Sequence, residues 1–174
     1  MSETKAYTDA ETAKQYAAID AAVIEEGERA LIRVSGENSR DHGFHEDWPV
    51  DVDLIEPGKD RDYQKALTEK LTLIMEEVIE AFGEVRSGRP PLETYFVDKK
   101  GLIGPKGQEY PEQVYDADGA PMLKPEGLLV ELADANIRIS DLVFLLDASD
   151  QYVEARRIKH EYNATRPFKH GRQF

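Results

Sequence analysis

At 174 residues, with 40% hydrophobic and 33% charged residues, the chain suits one globular domain (1–174) that buries its core without disulfides. It has no cysteine, which excludes disulfides and thiolate chemistry, and its formal net charge of −13 argues against a nucleic-acid polymer as partner, because phosphate neutralisation drives such binding. The longest uninterrupted apolar run, Leu142–Leu146, is far too short to cross a bilayer, and Met1–Lys5 is polar with no apolar signal region behind it. The expectation is a soluble cytoplasmic protein with no membrane partner.

The charge is unevenly placed. Residues 156–174 carry six Lys/Arg against the single acid Glu161, a local +5 that leaves −18 on the other 155 residues. An acidic body with a basic tail suits a small metal-complexed polyanion better than DNA.

In chain order, Thr8 and Glu11 have capping-box spacing and predict a helix running through Ala-rich sequence toward Val34. Gly36 to Trp48 reads as irregular, and Pro49, Pro57 and Gly58 extend the break. A second helix is predicted over Arg61–Arg86, with Leu67, Leu71, Ile74, Val78 and Phe82 on one face as its core stripe. Residues 87–125 hold six of the nine prolines and five of the twelve glycines. This is a long insertion, with strands expected near Tyr95–Val97 and around a turn at Asp118–Gly119. A third helix is predicted over about Glu126–Leu146 and a fourth over Ser149–Ala164. The expected fold is all-α, a four-helix bundle with a Pro/Gly-rich insertion between its second and third helices.

Two pairs of acids stand out. Glu77/Glu80 on the second helix and Glu131/Asp134 on the third are each three residues apart, hence neighbours on one helix face. Opposed in a bundle, four carboxylates suit a hard cation such as magnesium, or manganese in its place. On the second helix Glu76, Glu80 and Glu84 lie away from the apolar stripe, as solvated acids do, with Glu77 at its boundary. The third helix differs: Glu131 and Asp134 share a sector with Val130, Ile137 and Leu145 on a helix apolar almost all round. Acids there are expected to be buried, and a buried acid needs a partner: a divalent ion, or a cation such as Arg138. The same all-round apolarity predicts a homodimer or homotetramer whose neighbouring helices complete the core.

Glu-Glu-x-x-Glu at 76–80 followed by Glu-x-x-Asp at 131–134 resembles the metal motif of the all-alpha NTP pyrophosphatases, the group that includes the MazG family. Lys124–Arg138 and Lys159–Gly171 also look like the MazG-like proteins common in bacteriophages and actinobacteria, and His42–Trp48 resembles the stretch before the first acidic motif. The resemblance implies magnesium held by Glu77, Glu80, Glu131 and Asp134. It also implies hydrolysis of (deoxy)nucleoside triphosphates between the α and β phosphates, giving monophosphate and pyrophosphate. About 50 residues separate Glu80 from Glu131, longer than the family's usual interval, and the insertion supplies the excess. An acid not committed to the metal, Glu76 or Glu80, is the expected general base.

Lys159, Asn163 and Arg166 share a face if the last helix persists to Arg166, placing two cations and an amide for phosphate or sugar. A solvated C-terminal turn is the alternative, since cations also suit helix C-termini. His42 and His45 have no zinc-like spacing to other ligands, so loop surface is their default; Phe44 and Trp48 are alternatively expected to stack on the nucleotide base. Two other functions compete: a phosphoribosyl-ATP pyrophosphohydrolase-like enzyme, and a non-catalytic helical interaction module whose acids bind a structural cation.

Overall fold

The computed structural model describes residues 21–49, 61–97 and 123–166. Within them lie four helices and one two-stranded antiparallel sheet: α1 (Ala21–Asp41), α2 (Arg61–Arg86), β1 (Tyr95–Val97), β2 (Lys124–Glu126), α3 (Leu128–Leu145) and α4 (Ser149–Ala164). The chain divides into two compact units, one of residues 1–63 and 140–174, the other of residues 64–139. Thr8, the expected first cap, and the turn at Asp118–Gly119 lie outside the described residues.

In the first unit α1 packs against α4. Ile32 and Val153 are buried, and at the surface Arg29 Nε donates to Asp150 Oδ1 at 2.8 Å while Arg156 pairs with Glu28. The helix does not stop near Val34 as expected but runs to Asp41. Gly36 was read as a breaker. Instead, a Cβ built there would lie 2.0 Å from the Phe144 ring, so the glycine lets the helix backbone approach the end of α3. Its helix-weakening entropy is offset by that approach.

The end of α3 is closed by two backbone bonds, Ala148 N to Val143 O and Asp147 N to Phe144 O, with Asp147 at φ 48°. This is a Schellman arrangement with an Asp in the left-handed position that Gly usually takes. It lets α4 begin at Ser149, where Asp150 in the first turn complements the helix dipole.

In the second unit β1 and β2 pair with Tyr95 opposite Glu126, Phe96 opposite Pro125 and Val97 opposite Lys124. Pro125 is tolerated because a two-stranded sheet has only edges. Gly127 then turns the chain into α3 at φ 127°, where an added Cβ would meet Glu93 O at 2.4 Å; no other residue fits without a shift. Tyr95 Oη donates to Glu84 Oε1 at 2.9 Å, and Arg89 stacks over the Tyr95 ring, so the hairpin is tied to α2.

The bounds of α2 are those expected, but its core face is not. Leu71, Val78 and Phe82 are exposed, Leu67 and Ile74 are half-buried, and the buried residues of α2 are Glu77 and Ala81. The helix turns an acid inward and much of its apolar stripe outward. The α3 residues of this unit repeat the pattern: Glu131 and Ala135 are buried while Leu129, Leu132 and Ile137 are exposed.

Candidate metal centre

Glu77 from α2 and Glu131 and Asp134 from α3 each bring a carboxylate oxygen to within 4.8 Å of the others. The three-residue spacing of Glu131 and Asp134 places both on one helix face, and the inward turn of α2 delivers Glu77 to it. Glu77 is 6% exposed and Glu131 1%; Asp134 is half-buried. Two ionised carboxylates at that separation repel by roughly 3 kcal/mol at an effective dielectric near 20. Something must offset this.

Protein groups offset part of it. Arg138 Nε donates to Glu77 Oε1. Lys124 Nζ lies 2.8 Å from Glu126 Oε1, and its charge is felt by both Glu131 and Asp134. Burial alone would lower the Lys124 pKa, but the bond to Glu126 and the charges of Glu126, Glu131 and Glu80 raise it. Glu77, Glu80, Glu126, Glu131 and Asp134 thus face Lys124 and Arg138: five acids against two bases, a formal excess of three negative charges.

The excess shows in the titration of the acids. Burial pushes the Glu131 carboxyl up to about 7, helped by its hydrogen bond with Glu126 and by repulsion from Glu126 and Glu80, with Lys124 opposing. Asp134 is also raised, first by burial and then by Glu77, with Lys124 and Arg138 opposing. The hydrogen bond between the Glu126 and Glu131 side chains requires a proton, since two carboxylates have only acceptors. Glu131 Oε2 remains: it is fully buried and has no hydrogen-bond partner. An unsatisfied buried carboxylate oxygen beside two other carboxylates leaves an acceptor in a geometry that can hold a cation.

Three of the four expected metal ligands therefore come together. The fourth, Glu80, is exposed and outside the trio, though its charge is felt by Glu131; Glu76 is exposed as well. Arg138 does act as a local cation, but its bonded partner is Glu77 across the helix pair and not a neighbour on α3. Lys124 and Glu126 had no role in the sequence reading. Their signal was the two-residue spacing on a strand, which puts both on one side of the hairpin, but a Lys-Pro-Glu triplet in a Pro-rich insertion does not announce a strand.

The remaining candidates belong to the first unit. His45 is not loop surface: its Nε2 is 2.6 Å from Asp141 Oδ1, both side chains are largely buried, and its ring packs near Phe144. His42 is exposed and bonds Asn38 O through Nδ1. Phe44 is exposed, and Trp48 meets Tyr63 edge-on at 5.9 Å. Lys159 and Asn163 are exposed on α4, which ends at Ala164, so Arg166 sits past the helix. Lys159 Nζ and Arg166 Cζ lie 5.4 and 5.9 Å from the Tyr162 ring, a cation–π arrangement at the end of the helix.

The described residues thus define a mostly helical protein with a buried acidic cluster whose geometry can hold a metal ion. No described helix is long and apolar enough to cross a membrane. Comparison with known protein families, with curated proteins and with solved structures finds no match for the chain.

Proposed function

We propose that the protein is a magnesium-dependent pyrophosphohydrolase of nucleoside triphosphates, with manganese as the alternative ion. The observation that carries the metal half of this reading is Glu131, 1% exposed with one oxygen unpartnered, between Glu77 and Asp134. The substrate half rests on the acidic motifs at 76–80 and 131–134 and on their likeness to the MazG family.

Glu131, Asp134 and Glu77 would hold the ion, and the donor set fits: all oxygen, all anionic, as magnesium prefers. A bound ion supplies Lewis acidity, polarising a phosphate oxygen and lowering the pKa of an attacking water. Glu80, exposed and electrostatically coupled to Glu131, accepts the water's proton as the oxygen bonds to the α phosphorus; pyrophosphate leaves with the electrons of the broken α–β bridge. Arg138 holds Glu77 in place and Lys124 moderates the repulsion among the acids.

The Arg138–Glu77 pair favours one rival reading, a non-catalytic module whose acids are compensated internally or by a structural cation. Pyrophosphate release, measured over the common ribo- and deoxyribonucleoside triphosphates with magnesium, separates the two. The hydrolase reading expects release from at least one nucleotide, abolished by EDTA and by Glu131→Gln. Metal-dependent stabilisation without turnover on any nucleotide overturns it.

A further inference from the structure

The hairpin carries a cation to the acids. Tyr95 and Val97 on β1 and Lys124 and Glu126 on β2 are half-buried, while Phe96 and Pro125 between them are exposed. Tyr95 stands opposite Glu126 and Val97 opposite Lys124, so these four share one side of the sheet. That side is anchored at both ends. Tyr95 Oη donates to Glu84 Oε1 on α2 at 2.9 Å, and Glu126 bonds the side chain of Glu131 on α3. Pro125 fixes the backbone between Lys124 and Glu126.

A lysine stem is long enough to carry its charge out to water. Lys124 does not do this: its side chain is 30% exposed and Nζ stays 2.8 Å from Glu126 Oε1. Burial disfavours that charge, and the bond to Glu126 with the charges of Glu126, Glu131 and Glu80 outweighs the burial. Arg138, the other base among these acids, is more exposed, is bonded to Glu77, and lowers the Asp134 carboxyl less than Lys124 does. Lys124 is thus the cation that bears most directly on the two α3 ligands.

We propose that Lys124 is a built-in counter-ion of the metal centre, held in place by the hairpin, whose charge stabilises the ion-free acids and opposes a free divalent ion, so that it sets the cation affinity of the site. The sign follows from Coulomb's law. A fixed positive charge attracts the carboxylates that an ion would bind and repels the ion itself, so it favours the empty cluster over the filled one. The inference rests on the metal half of the proposed function and on no step of hydrolysis.

Melting temperature against magnesium concentration, in EDTA-stripped protein, gives a dissociation constant without any turnover. Lys124→Met is expected to melt below the wild type in EDTA and to bind magnesium roughly tenfold more tightly. Lys124→Arg keeps the charge and is expected to keep the wild-type affinity, which a role in packing alone would not secure. Lys65→Met removes an exposed lysine twelve residues before Glu77, about 18 Å along α2 and beyond the ~8 Å screening length, and is expected to leave the affinity unchanged. If Lys124→Met fails to fold, Lys124→Gln takes its place with the same expectation. A wild type that magnesium stabilises, with Lys124→Met binding it equally or more weakly, overturns this proposal and leaves the metal reading standing. Failure of magnesium to stabilise the wild type and Lys124→Met alike overturns both.

Discussion

Glu131 and Glu77 are both buried acids, yet removing their charges is expected to act in opposite directions. Glu131 is held above its ordinary pKa by burial and by neighbouring acids, so Glu131→Gln relieves repulsion and gives Glu126 an N–H donor that needs no shared proton. Without metal the variant is expected to be more stable than the wild type at pH 8, by about 1–3 kcal/mol. Glu77→Gln weakens the bond to Arg138 instead. Arg138 is half-exposed, so the loss is expected to stay near 1 kcal/mol or below. Denaturant melts of both variants in EDTA check the signs. Equal effects would mean that the two acids share one environment.

The titration of Glu131 sets a pH window. Its folded pKa of about 7 exceeds the ordinary 4.5, so between these values the native state binds more protons than the unfolded chain. Stability without metal is therefore expected to be greatest below pH 4.5, as far as this group is concerned, and to fall as pH rises through 7. A bound cation replaces the proton, so magnesium affinity is expected to rise over the same window. Thermal melts from pH 5 to pH 8, with and without magnesium, are expected to diverge as pH rises. Parallel curves would show that no cation competes with that proton.

At the level of single elements, two helical glycines are expected to behave oppositely. A Cβ at Gly36 would overlap the Phe144 ring, so Gly36→Ala is expected to destabilise by about 1–3 kcal/mol through overpacking. A Cβ at Gly83 on α2 meets nothing within 4 Å, so Gly83→Ala is expected to stabilise by up to about 1 kcal/mol through helix propensity. Chemical denaturation of the two variants tests whether Gly36 is a breaker, as its residue type suggests, or a packing position. Loss of stability at Gly36 combined with gain at Gly83 fits the packing reading. A gain at both positions removes it.

For the whole molecule the decisive property is metal linkage. An ion that binds only the native state adds stability as its concentration passes its dissociation constant, about 2.7 kcal/mol at a hundredfold excess. Titrating magnesium into EDTA-stripped protein is expected to raise the melting temperature of the wild type. Asp134→Asn is expected to show a much smaller rise, because one of the three convergent ligands is lost. An identical rise in both would place any cation elsewhere.

Much was legible in the sequence because it depends on local spacing. The bounds of α2 and α4 follow from apolar periodicity and flanking breakers, and the strand at Tyr95–Val97 from its β-branched and aromatic residues. The convergence of Glu131 and Asp134 was readable too, since three residues on a helix make neighbours whatever else the chain does. Tertiary structure alone decided which face of α2 turns inward. Periodicity shows that a helix has an apolar stripe, not what covers it, and α2 leaves Leu71, Val78 and Phe82 uncovered while burying Glu77. Tertiary structure likewise gave Arg138 to Glu77, sent His45 to Asp141, made Gly36 a contact and brought Lys124 and Glu126 beside the acids. The first three of these join positions far apart in the chain, and in all four the energy that selects the pairing, desolvation against pairing, depends on what surrounds the groups in space.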